Sequence, residues 1–138
     1  LYLLPADAKH QKTITHRKPL GKSAGLFVLG EYFMRMWMID PKLLCRKHLL
    51  GEHGELHLHR HNFVKHHSIA GRLSPIVQIE PLAMERRHND LAAEMVRRGY
   101  KHESPYSLPD LSYLPHEQIF AKVDQEQSIR DLCERCGV

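Results

Sequence analysis

Apolar and polar positions along this chain follow a helical rhythm far more than an extended one. The clearest stretch opens at Pro81 and is marked by Leu82, Glu85, Arg86, Leu91, Met95 and Val96. Arg97-Arg98-Gly99 closes it with a cationic last turn and a glycine stop. An earlier helix is predicted to start at Asp40-Pro41, where an aspartate caps free N–H groups and a proline at the first helical position loses no bond. Its stripe of Leu43, Leu44, Lys47 and Leu50 continues across Gly51 and Gly54 into residues 55–69. Each of those glycines costs about 1 kcal/mol in a helix interior, so the pair is expected either to kink the helix or to admit a close neighbour. Gly71-Arg-Leu-Ser-Pro75 ends the segment, and Pro75–Ile79 shows the only β period, a short one. After a proline-rich loop over 104–115, a last helix is predicted from about Glu117 to Glu134, burying Ile119, Val123, Ile129 and Leu132. Three helices with long connections define a small all-α domain.

Residues 1–33 have a different texture. Their cations are set without a helical period, and Pro5, Pro19 and Gly21 break any helix. They are expected to form an irregular leader, disordered or non-native, ahead of a domain over 34–138. No stretch reaches the roughly 18 apolar residues of a membrane span, so no membrane partner is expected. Three cysteines among 138 residues make no disulfide framework, which points to a reducing, cytoplasmic setting and a monomer. Cys133-Glu-Arg-Cys136 has the spacing of half a zinc knuckle, but stands without an obvious second pair.

Charge changes the picture. Residues 34–72 carry seven Lys/Arg against three acids, and residues 73–138 carry eight against eleven. A basic segment on an ordinary domain suggests a polyanionic partner. The same segment holds seven of the twelve histidines. His53/His57 and His57/His61 stand four apart, on one helix face. A zincin places its glutamate directly after the first histidine, whereas Glu55 comes two residues after His53, about 200° around the helix. Spacing offers no third ligand, so no metal and no cofactor are expected. Histidines on a basic face can instead donate to phosphate.

The string His48-Leu49-Leu50-Gly51-Glu52-His53-Gly54-Glu55-Leu56 resembles the core of the pyrimidine-dimer DNA glycosylases of the endonuclease V type. There a helix carries His-Leu-apolar-small-Glu-x-x-Glu-Leu, and the second glutamate is catalytic. The likeness continues at Arg97-Arg98-Gly99-Tyr100 and at Tyr113-Leu-Pro-His-Glu117, and runs from about Met34 onward. It implies an all-α DNA-repair glycosylase that is also an abasic-site lyase, acting on duplex DNA with a damaged or abasic site. In that family the N-terminal α-amine attacks the sugar C1′ and forms an imine. Carried over, Met34 stands where the family has its N-terminal threonine, and Glu55 is the catalytic glutamate. Arg35 matches an arginine that meets the phosphate backbone, and a further family arginine falls at His59 or Arg60. Gly54 stands where the family has an arginine. With the basic segment, the DNA-binding set is Arg35, Arg46, Lys47, His59, Arg60, Lys65 and Arg72. Two rival readings remain open: a non-catalytic helical module that binds nucleic acid, and a metal-binding module built on the histidines with Cys133 and Cys136.

Overall fold

The computed structural model of the protein describes residues 35–136. The expected leader over 1–33 and Met34 lie outside the described residues. Among those described there is no strand, and no helix is long and apolar enough to cross a membrane. Helix α1 spans Arg46–Val64, α2 Met84–Arg97, α3 His116–Ile119 and α4 Gln125–Cys136, with short 3-10 turns at Pro41–Leu43, Ala70–Arg72 and Pro81–Ala83.

The first helix begins later than Asp40-Pro41 suggests. Asp40 does cap, accepting from Lys42 N–H at 3.0 Å, but only a single 3-10 turn follows. Leu44 is extended, and α1 starts beyond Cys45. It also stops at Val64, before Ile69, because His66 turns into the left-handed region at φ 59°. Its buried stripe is Leu49, Glu52, Leu56, His59 and Phe63, spaced by three and four. Two of those five are polar, which is why the apolar period of this helix is weak.

Gly51 and Gly54 sit inside the continuous α1 and cause no break. A Cβ built on either meets nothing within 4 Å, so neither glycine marks a close approach. Both therefore carry the propensity cost of glycine without a packing benefit. The double substitution Gly51→Ala/Gly54→Ala is expected to raise Tm by about 5–10 °C in a thermal melt, roughly 1 kcal/mol for each site.

Helix α2 is preceded by the 3-10 turn at Pro81 and stopped at Gly99, whose φ of 91° suits glycine. It packs on α1 around Leu49, Leu56, Phe63, Met84, Leu91 and Met95. Leu82 and Val96, on the expected apolar side, are exposed. Residues 75–79 run past the core without pairing into a sheet: Gln78 O accepts from Met36 N–H at 2.7 Å, one bond and no ladder.

The expected last helix is two helices. The break falls at 120–124, and Asp124 starts α4 by accepting from Gln127 N–H through Oδ1 and from Ser128 N–H through its carbonyl. The displaced phase leaves Ile129 exposed, contrary to expectation, and turns Ser128 and Leu132 inward. Val123 is buried in the connecting loop.

Candidate active site

Helix α1 presents different chemistry on the two flanks of its buried stripe. At about 100° per residue, Glu55 falls on one flank and His53, His57 and Arg60 fall on the other. The two sides are set by sequence position and by the packing of Leu49, Leu56 and Phe63 between them.

On the first flank, Glu55 Oε1 is shut off from solvent and meets no hydrogen-bond partner. Burial pushes this carboxyl up to about 8, and the charge of Arg72 only partly opposes the shift. A carboxyl in that range can give or take a proton near neutral pH. Arg72 also donates from Nη1 to Gln78 Oε1 at 3.4 Å, and Gln78 O receives Met36 N–H. Arg72 thus acts on Glu55 through its charge and is tied through Gln78 to the entry of the chain at Met36.

One turn earlier, Glu52 is buried and has a different task. Arg87 holds it bidentately, Nε to Oε2 at 2.8 Å and Nη2 to Oε1 at 2.9 Å. Glu52 Oε2 also accepts from Trp37 N–H at 3.1 Å, and Arg87 Nη1 donates to Ile39 O at 2.6 Å. The pair pins residues 37–39 across α1 and α2. Burial pushes the Glu52 carboxyl up, with the Arg87 contact pulling against it.

The residues expected to meet DNA divide sharply. Arg46, Lys47 and Lys65 are exposed, with Arg46 lying over the Tyr100 ring at 5.4 Å. Arg46 and Lys65 stand at opposite ends of α1, roughly 28 Å apart along its axis, so the cations form no single compact patch. Arg60 is half-buried and donates to Ser107 O at 2.7 Å and to Ser107 Oγ at 3.2 Å. Arg72 is half-buried, donates to Gln78 and acts on Glu55 through its charge. Arg35 and His59 are buried, at 6% and 1% exposure. Arg35 Nη1 pairs with Asp131 at 3.0 Å and Nη2 donates to Ser128 Oγ at 3.3 Å, so this guanidinium holds α4 in place. His59 belongs to the inward stripe of α1.

Among the described residues, two groups have the donors to hold a metal ion, and spacing within one helix exposes neither. His53 gathers with His88 of α2 and His102 of the loop beyond it, and His57 lies beside it on the same helix face, ring centroids 5.0 Å apart, as spacing predicts. Burial, then the charges of His88, His57 and His102, push His53 down to about 3, so its ring is neutral. Cys136 gathers with Cys45 and His48. Cys45-x-x-His48 is the second pair that Cys133-x-x-Cys136 lacked, and two ligand pairs with the same spacing were a signal available in the sequence.

The described part of the chain is an all-helical domain built on α1 and α2. The family model for pyrimidine dimer DNA glycosylases matches residues 34–108, more than half of the chain, and the protein belongs to that family. No curated protein and no solved structure matches the chain. The family match takes in α1, α2 and the loop as far as Leu108, and ends before α3 and α4.

Proposed function

We propose that this DNA glycosylase is also an abasic-site lyase, with the α-amine of Met34 as nucleophile and Glu55 as its proton-handling partner. The observation that carries the reading is Glu55, the position the resemblance marks as catalytic, whose Oε1 is shut off from solvent and has no hydrogen-bond partner. A carboxylate kept only for solubility would sit in water near its ordinary value. Burial here costs stability, which is characteristic of a group retained for chemistry.

The amine attacks C1′ of the damaged nucleotide, the bond to the base breaks as the carbon–nitrogen bond forms, and the proton shed by the attacking nitrogen goes to the departing base. The protonated Glu55 donates to the sugar ring oxygen as the ring opens to the imine. The resulting carboxylate then takes a proton from C2′ as the 3′-phosphate leaves, and water releases the imine. One group with a value near 8 serves both transfers. An α-amine has an ordinary value of about 7.7–8.0, so a useful neutral fraction exists near pH 7 without burial, which a lysine would need. Reaching C1′ requires a displaced nucleotide. In this reading residues 1–33 are absent from the active form, because an amide nitrogen at Met34 is not nucleophilic.

The test is borohydride trapping on duplex DNA containing an abasic site. A chain whose first residue is Met34 is expected to become covalently linked to the DNA, and the 138-residue chain is not. Equal trapping of both would place the nucleophile on a lysine, with exposed Lys42 and Lys47 the first to replace.

A further inference from the structure

We propose that the chain binds zinc through His53, His88 and His102, on the flank of α1 away from Glu55, with the fourth coordination position left to water. The three Nε2 atoms form a closed triangle. His53 to His88 is 3.1 Å, His53 to His102 is 3.0 Å and His88 to His102 is 3.4 Å. A tetrahedral zinc with bonds of about 2.0–2.1 Å holds its nitrogens roughly 3.3–3.4 Å apart, so these rings stand close to the face of such a site.

Protons alone do not satisfy this triangle. Each neutral imidazole offers either one N–H or one lone pair at Nε2, and an N–H points at a single neighbour. Three mutual contacts through the same nitrogen are met together only by a cation that accepts three lone pairs. The surroundings fix the tautomer in that sense for His88, whose Nδ1 donates to Asn89 Oδ1 at 3.1 Å and so leaves Nε2 free to ligate. Tyr106 stacks on the His88 ring with centroids 5.2 Å apart, and His57 lies edge-on to both His53 and His88. Ligand, orienting partner and packing are all supplied by different elements: α1, α2 and the loop after α2. Spacing along one helix supplies no third ligand, and the fold supplies two.

Three protein ligands are the number that catalytic zinc sites use, whereas structural sites use four. Ser104 Oγ lies 3.4 Å from His102 Nε2 on the exposed side, where water can complete the shell. A cleft of about 350 Å³, lined by His57, Arg60, Pro105, Tyr106 and Ser107, shares His57 and Tyr106 with the walls of the site.

A separate set of residues carries a second zinc site on three gathered ligands: Cys45, His48 and Cys136. Cys45 Sγ stands 3.2 Å from His48 Nδ1, and Cys136 Sγ stands 3.5 Å from the same nitrogen and 3.9 Å from Cys45 Sγ. Zinc–sulfur bonds of about 2.3 Å imply sulfur–sulfur separations near 3.8 Å and sulfur–nitrogen separations near 3.6 Å. Cys133 stands one helical turn before Cys136 and outside the three gathered atoms, so a rotation of its side chain would supply the fourth ligand of the two x-x-spaced pairs. This ion would tie the start of α1 to the end of α4.

The experiment uses the whole chain, produced with zinc in the medium and kept reduced, with metal counted by mass spectrometry. About two zinc equivalents per chain are expected. His102→Ala, in the loop, is expected to remove one equivalent, and Cys136→Ser the other, with helicity by circular dichroism checked for each. Cobalt(II) substitution reads the sites without mutation. Thiolate-to-cobalt charge transfer in the near ultraviolet reports the cysteine site, and a visible band that persists in Cys136→Ser reports the histidine site. Zinc content unchanged in His102→Ala, or no visible cobalt band in Cys136→Ser, overturns the histidine site. Absence of the charge-transfer band in the wild-type chain overturns the cysteine site.

Discussion

Glu55→Gln is expected to lose nearly all imine trapping and strand cleavage while gaining stability at alkaline pH. Glutamine keeps the shape and can neither donate the ring-opening proton nor accept the one from C2′. General acid–base groups contribute about 10²- to 10⁴-fold, so activity should fall by at least two orders of magnitude in a chain beginning at Met34. The stability effect has the opposite sign. The folded chain holds the Glu55 proton up to about pH 8, and the unfolded chain releases it near 4.5. Between those values the folded state binds the extra proton, so wild-type stability drains away as pH rises through the window. Glutamine does not titrate. The variant should match the wild type near pH 4.5 and exceed it by pH 9, by an amount on the order of a few kcal/mol. Denaturation at the two pH values measures this. Equal stability at both would mean that the carboxyl is solvated in the folded chain and is not the poised group proposed.

Glu52→Ala should be among the most destabilising substitutions in the molecule. It leaves the Arg87 guanidinium buried without its bidentate partner and the Trp37 N–H without an acceptor. Breaking one side of a buried pair costs about 3–5 kcal/mol. In a domain of this size that lowers Tm by more than about 12 °C. Replacing both partners with apolar residues, Glu52→Leu with Arg87→Met, is expected to be much milder, because no charge is then stranded. Urea titrations of the single and double variants decide it. A double variant no better than the single one would show that the pair matters for the backbone groups it holds at residues 37–39 and not for its own charges.

These two glutamates, three residues apart, show where sequence is informative and where it stops. Glu55 stands out in the sequence because a motif surrounds it, and α2 was legible because Pro81, Gly99 and a cationic last turn bound it. The body of α1 was legible, although the polar pair Glu52 and His59 within its buried stripe blurred its edges. The fate of Arg35 was not legible. A guanidinium early in the domain reads as a phosphate contact until the fold brings Asp131 to it, 96 positions later. The break before α4 escaped notice because Asp124 acts as a cap only through the hydrogen bonds it makes. The histidines were legible in part. Spacing places His57 beside His53, with ring centroids 5.0 Å apart, whereas the rings whose Nε2 atoms meet His53 Nε2 come from positions 35 and 49 residues away.

The docking of α4 also equips the protein with its own optical gauge. Trp37 is the single tryptophan of the chain, and two guanidinium groups, Arg35 and Arg135, each lie over its ring at 5.1 Å from the centroid. Arg135 belongs to α4, and Arg35 is the residue that α4 holds through Asp131. Detachment of the last helix would strip one cation from the indole, loosen the other and admit water to a ring that is 2% exposed. Emission from this one fluorophore should therefore shift to the red when α4 leaves, even while α1 and α2 remain packed and the far-ultraviolet signal of their helices persists.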